Sequence, residues 1–291
     1  MTTLEKATEI AAMRPRRVVF PEYEDHRILQ AADQLSRGGL AEPIALTPPS
    51  ERQVEALLAQ RPMKRTIAER ILERPLMRAA AMLACGEADV MVAGANAPTR
   101  RVIEAASLAV GFADGIRAPS SFFLMQMPDG RSLVLADCAV HRDPNSDELA
   151  EIARMSAKSA RLLLGRADVA LLSFSTGSSG VGPSVDKVRT AAELTGFLGP
   201  IQADAALNPA IAAKKGASGA GVANTLIFPD LNSGNIAYKL LRELAGAQAI
   251  GPFLQGFKKP VCDLSRGATV EDIVAATVIS IALAQAEEAE R

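Results

Sequence analysis

The chain reads as an α/β protein built on a mostly parallel sheet. Three segments carry that reading: RRVVFPEYEDHRILQAADQL from residue 16, ADVMVAGANAPTRRVIEAASLAV from residue 88, and ADVALLSFSTGSSGVGPSVDKVRTAAEL from residue 167. Each opens on a β-branched or aliphatic run, passes through a Gly, Ser, Pro or Asn turn and continues at helical spacing. Such alternation is the pattern of strands covered by crossover helices. With 291 residues, 48% of them hydrophobic, the chain can bury a core larger than that of one small domain.

In order along the chain, residues 1–17 form an amphipathic stretch that contains glutamates and has no long apolar core, unlike a secretory leader. The first two strand-turn-helix units follow. Residues 121–137, SFFLMQMPDGRSLVLAD, read as two strands joined by a Pro-Asp-Gly turn, a plausible crossing point between domains. HRDPNSDELAEIARMSAKSARLLL starts a helix after a Pro-Asn-Ser cluster, with Asp147 and Glu148 in the first turn, where acids favour the helix dipole. LIFPDLNSGNIAYK gives another strand and helix. Residues 273–286 are the most apolar stretch, too short for a bilayer and interrupted by Thr277, Ser280 and Gln285, and they read as a buried or interface-packed helix.

Formal net charge is -1, from 32 basic and 33 acidic residues, so no bulk field favours nucleic acid or an anionic membrane. Any anionic ligand must be met by locally placed cations. Cys85, Cys138 and Cys262 are odd in number and widely spaced, which suits a reducing, cytoplasmic setting better than a disulfide framework. His26 and His141 are far apart, and the sequence offers no metal-ligand cluster.

Anions collect where parallel strands hand over to helices. SFSTGSSG at 173–180 offers hydroxyls and amides of Ser175, Thr176 and Gly177 for a phosphate, although a polar loop capping the next helix is the plainer account. Asn232, Gly234 and Asn235 lie just before a helix, where an ordinary turn and N-cap compete with ligand binding. Arg100 and Arg101 fall in the first turn of a helix, unfavourable unless an anion or acid is near. In DLSRGATVED, Thr269 and Asp272 fit a capping box, and on the residues alone capping is the better account of Asp272.

The motifs FPEYEDHR at 20–27, GEADVMVAGANAPT at 86–99, LLSFST at 171–176, QADAAL at 202–207, NTLIFPDLNSGNIAYK at 224–239 and AIGPFLQGFKKPVCDLSRG at 249–267 occur in that order over nearly the whole chain. Together they resemble the phosphate acetyltransferases, and QADAAL is similar to the acetyl-specific rather than the butyryl-specific members. The resemblance implies two α/β domains with a central cleft, an architecture related to the isocitrate and isopropylmalate dehydrogenases, in a homodimer. The expected boundaries are 1–127 plus 257–291 for the first domain and 128–256 for the second. It also implies transfer of an acetyl group between coenzyme A and inorganic phosphate, with CoA, acetyl phosphate and phosphate as substrates and no cofactor. Ser265 and Arg266 match the family's active-site pair, and Asp272 matches its base toward the CoA thiol.

The sequence departs from the family at its other arginines. One position is taken by Glu243, with Arg242 one residue earlier; another is taken by Ile103 or Glu104, with Arg100 and Arg101 one turn before. The stretch from Pro48 to Arg65 is short, and Arg61 is the candidate for its basic motif. Arg100, Arg101 and Arg242 are therefore expected to bind substrate. The alternatives are transfer of another short acyl group such as butyryl, or a non-catalytic acetyl-CoA-sensing module. A dehydrogenase of the related fold would need a G-x-G-x-x-G after a strand, which is not found.

Overall fold

The computed structural model describes residues 1–217 and 219–290. Its backbone divides into two compact units, Met1–Pro119 with Gly251–Arg291, and Ser120–Ile250.

The first unit opens with α1 (Thr3–Met13), β1 (Arg17–Val19), α2 (His26–Arg37), β2 (Glu42–Ile44), α3 (Glu51–Gln60), α4 (Arg65–Leu72), α5 (Pro75–Ala84), β3 (Val90–Ala93) and α6 (Thr99–Ala109). The second contains β4 (Ser120–Gln126), β5 (Ser132–Ala136), α7 (Ser146–Leu164), β6 (Val169–Leu172), α8 (Pro183–Thr195), β7 (Leu198–Ile201), α9 (Ala203–Leu207), α10 (Pro209–Lys214), β8 (Thr225–Ile227) and α11 (Leu231–Ala245). The chain returns to the first unit along β9 (Gln248–Gln255) and ends with β10 (Val261–Asp263) and α12 (Val270–Ala289).

In the first unit the strands run in the order β2-β1-β3-β10-β9, parallel except where β10 meets β9. All four residues of β3 are buried, as expected of a strand covered on both faces. Helix α2 buries Ile28, Ala31, Ala32 and Leu35, the i, i+3, i+4, i+7 stripe of a helix lying on a sheet. Helix α12 is buried on every side from Ile273 to Ala284 apart from Val274, and packs on α1, α2, β3 and β10. Its polar interruptions are satisfied within the helix, because Thr277 Oγ1 donates to Ile273 O and Ser280 Oγ to Ala276 O, both at 2.8 Å.

In the second unit the order is β4-β5-β8-β6-β7, parallel except for the β4–β5 hairpin. Helix α7 starts on a capping box between Asn145 and Glu148 and stops at Gly165, whose φ of 74° is the left-handed conformation that ends helices.

The expected domain boundaries at 127 and 257 move. Phe122–Gln126 pairs with Ser132–Ala136, so both arms of the hairpin stay in the second unit. At the other end, Ala113 N donates to Gly256 O, Lys258 N donates to Gly111 O, and Phe257 bridges to Phe112, which fixes residues 251–258 on the first unit.

Candidate functional site

Strand β10 ends at Asp263, and the chain turns through residues 264–269 into α12. Ser265 and Arg266 are exposed on that turn. Thr269 and Asp272 form the predicted capping box: Asp272 N donates to Thr269 Oγ1 at 3.2 Å, and Thr269 N donates to Asp272 Oδ2 at 3.1 Å. The capping reading of Asp272 is therefore structural fact. It occupies one oxygen of a half-buried carboxylate in the first turn of a helix.

Two side chains from the FPEYEDHR segment shape the neighbouring loop. Glu22 accepts four backbone N–H groups, from Gly94 (2.7 Å), Ala95 (2.9 Å), Asn96 (2.7 Å) and Ala97 (2.6 Å). The loop after β3 is thus an anion nest already holding an internal anion. Asp25 caps α2 and grips Arg27, whose guanidinium holds the Asp25 carboxyl well below the usual carboxylate range. Arg27 reaches onward to the carbonyls of Ala95, Arg266 and Ala268 at 3.0, 2.8 and 3.0 Å.

Beside this loop lies a cavity of about 540 Å³ lined by Glu22, Arg74, Leu76, Asn96, Ala97 and Arg101, with Pro21 and Pro75. Two helices begin there, α5 after Arg74 and α6 after Pro98, and among the described residues neither has a side-chain cap. Arg74 and Arg101 both pair with Glu104, at 3.3 and 2.9 Å. Hydrogen bonds from Arg101, and then Arg74, keep the Glu104 carboxyl below its ordinary range. The acid beside first-turn Arg101 is therefore Glu104, one turn on along the same helix. Arg100 is exposed.

Asp263 is 1% exposed, and among the described residues neither carboxylate oxygen has a hydrogen-bond partner. Burial pushes its carboxyl up to about 7; the nearby Thr99 hydroxyl opposes the rise and the charge of Glu22 adds to it. Its Oδ1 fills the space that a Cβ at Gly94 would take, and Gly94 has φ of 100°, so this position needs glycine twice over.

In the second unit the structure corrects the expectation of free amides at 173–180. Thr176 N donates to Ser179 Oγ (3.0 Å), Gly177 N to Pro200 O (2.9 Å) and Gly180 N to Ser175 Oγ (2.7 Å). Ser175 is fully buried, and Thr176 Oγ1 donates to Gln202 Oε1 (3.1 Å). The loop is held by Ser175 and Ser179 from within and by Pro200 and Gln202 from outside, and α8 begins at Gly182 with no side-chain cap among the described residues, so the capping account is not met either. At 230–235, Asp230 caps α11 through Ser233 N at 2.9 Å, and Asn235 Nδ2 donates to Cys138 O at 3.1 Å. A Cβ at Gly234 would collide with Asp137 O, so Gly234 permits a close approach of backbones. Asn232 is exposed. Arg242 lies in the last turn of α11, where a cation suits the dipole, 3.6 Å from Glu243.

Cys138 and Cys262 are buried, and burial raises both thiols well above their ordinary range, so neither is poised as a thiolate at neutral pH. Among the described residues, no group of three or more His, Cys, Asp or Glu side chains is placed to hold a metal. Nor is any helix long and apolar enough to cross a membrane among those residues.

The sequence reading did not single out Arg74, Arg27, Glu22 or Asp263. Asp25 before a helix is a recognisable N-cap signal. Their partners lie far away in sequence.

A family model described as phosphate acetyl/butaryl transferase matches residues 51–281. A phosphate acetyltransferase from Clostridium acetobutylicum is 37% identical, over 98% of this chain and 99% of that protein. One from Pseudomonas aeruginosa is 39% identical over 94% of this chain, which spans 44% of that longer protein. Among solved structures, a phosphotransacetylase from Streptococcus pyogenes superposes with a TM-score of 0.91 at 35% identity, covering 97% of this chain and 98% of that one. Residue pattern, fold and likeness agree, and the chain belongs to the phosphate acetyl/butaryl transferase family.

Proposed function

We propose that the protein is a cytoplasmic acyltransferase that moves an acetyl group reversibly between CoA and inorganic phosphate. In the direction of acetyl-CoA synthesis, the CoA thiol gives its proton to Asp272 and the sulfur adds to the carbonyl carbon of acetyl phosphate. That addition forms the C–S bond; the tetrahedral intermediate then re-forms the carbonyl, breaking the C–O bond and expelling phosphate. A free thiol titrates near about 8.5, so a placed carboxylate raises the thiolate fraction at neutral pH. Ser265 and Arg266 supply a donor and a positive charge to the oxyanion and the departing phosphate, a task suited to a guanidinium fork.

The observation that carries this reading is the build of the 264–269 turn. Ser265 and Arg266 face solvent on a turn whose carbonyls Arg27 holds from outside, and Asp272 keeps one oxygen outside its cap bond. Arg101 and Arg74 supply further cations for the phosphates of CoA, gathered by Glu104 at the rim of the 540 Å³ cavity.

Arsenate-dependent breakdown of acetyl-, propionyl- and butyryl-CoA, measured side by side, tests the function. Preference for acetyl-CoA supports the proposal, preference for butyryl-CoA moves it to the other branch of the family, and binding without turnover of any of the three makes the chain a sensor.

The enzyme works as a homodimer that pairs through α11. Ile236, Leu240 and Leu244 are spaced i, i+4, i+8 and are 56%, 51% and 81% exposed, a continuous apolar stripe on a helix that buries only Gly234. Large apolar side chains aligned in that way on a surface mark a contact with another protein.

A further inference from the structure

Residues 264–269 run as loop and turn, and their internal bonds are few. Ala268 N donates to Ser265 O at 2.9 Å and Gly267 N to Ser265 Oγ at 3.3 Å. The start of the segment is pinned to β3, since Leu264 N donates to Ala93 O at 2.6 Å. Beyond that point its carbonyls are held by a side chain from a different part of the chain. Arg27 Nη1 donates to both Arg266 O (2.8 Å) and Ala268 O (3.0 Å), while Nη2 donates to Ala95 O (3.0 Å) and to Asp25 (2.8 Å).

The fork is itself immobilised from behind. Arg27 Nε donates to Asp25 Oδ1 at 3.0 Å, and Asp25 also accepts from Arg27 N (2.8 Å) and Asn96 Nδ2 (3.1 Å). The Arg27 side chain is 20% exposed and that of Asp25 8%, so the pair is largely shielded from water. The 94–97 loop, which Arg27 also touches at Ala95, is fixed independently by Glu22 through its four amides. Arg27 thus ties the 264–269 turn to a loop that Glu22 already holds.

We infer that Arg27 is a positioning residue: by holding the carbonyls of Arg266 and Ala268 against the 94–97 loop, it fixes where Ser265 and Arg266 point without meeting substrate itself. The inference rests on the catalytic reading of Ser265 and Arg266 given above. A guanidinium is needed because one planar group must reach three carbonyls and a carboxylate at once, whereas the three donors of an ammonium radiate from a single point. A displacement of about 1 Å at a reacting group is enough to cost about a hundredfold in rate.

The test compares Arg27→Lys and Arg27→Ala with wild type in the full chain, measuring kcat, KM for CoA and acetyl phosphate, thermal midpoint, and hydrogen exchange across 263–269 and α12. The expected result is a kcat lower by about a hundredfold for Ala and at least about tenfold for Lys, with KM changed less than about threefold. Exchange at 266–268 should rise while α12 stays protected. If the Ala variant does not fold, the Lys variant carries the same readouts. An active wild type with kcat retained in a folded variant overturns the inference, as does a fall in thermal midpoint alone. An inactive wild type counts against the catalytic reading instead; in that case exchange still decides, and unchanged exchange at 266–268 overturns the role of Arg27.

Discussion

Asp263→Asn should make the first unit less sensitive to pH, and the size of the effect follows from the surroundings of the carboxyl. Asp263 is almost completely buried without a hydrogen-bond partner among the described residues, and its carboxyl is raised from an ordinary 3.8 to about 7. Glu22, across Gly94, adds a like charge, and the Thr99 hydroxyl offsets part of the rise. The folded protein therefore keeps a proton that the unfolded chain has released, so stability falls as pH rises from about 4 to about 7 and is level above that. At about 1.4 kcal/mol per pH unit, the full loss is about 4 kcal/mol, of which about 3 kcal/mol falls between pH 5 and pH 8. In a unit of this size that corresponds to a drop of about 5–10 °C in thermal midpoint. Asparagine has nearly the same shape and cannot ionise, so the variant should lack that part of the drop. Thermal unfolding of both proteins at pH 5, 6, 7 and 8, followed by circular dichroism, gives the two slopes. Equal slopes would mean that Asp263 is ionised and solvated or paired in the fold, and would refute the reasoning.

Asp272→Asn should lower kcat by about a hundredfold or more, because the amide accepts no thiol proton, while the Thr269 cap is partly kept and the thermal midpoint moves little; near-normal kcat would reduce Asp272 to its cap. Alanine at Arg74 and Arg101 together should raise the KM for CoA at least about tenfold, the effect of losing about 1.4 kcal/mol of binding. Unchanged KM would make them surface charges collected by Glu104. Leu240→Asp should give a monomer in light scattering without loss of secondary structure, and a dimer that survives it would place the interface elsewhere.

Local signals were legible in the sequence. The Pro-Asp-Gly turn announced the β4–β5 hairpin, Thr269 and Asp272 announced the cap of α12, and three strand-turn-helix segments became β1–α2, β3–α6 and β6–α8. These depend on residues a few positions apart. What stayed hidden depends on residues brought together by the fold. Arg27 meets Arg266 across 239 positions, and Glu22 meets the 94–97 amides across 72 to 75. Nothing local in the sequence singles out Glu22 or Asp263, because it does not reveal that one accepts four backbone amides and the other is buried against Gly94. At 173–180 the sequence left two accounts open, a phosphate cradle and a polar loop capping the next helix. Its amides and hydroxyls bond in part to each other and in part to Pro200 and Gln202, partners that no local pattern announces.

The internal carboxylates of the two units have a consequence for selectivity. Glu22 occupies the amides of residues 94–97, and in the second unit Asp137 occupies those of Ala139, Val140 and His141. Clusters of outward-facing N–H groups at strand ends attract any small oxyanion, and a protein that handles phosphorylated molecules would be slowed by its own decoys if such clusters stood open. Each built-in carboxylate acts as a stopper. It fills one cluster of amides at the cost of one side chain, whereas the starts of α5 and α6 have no side-chain cap among the described residues.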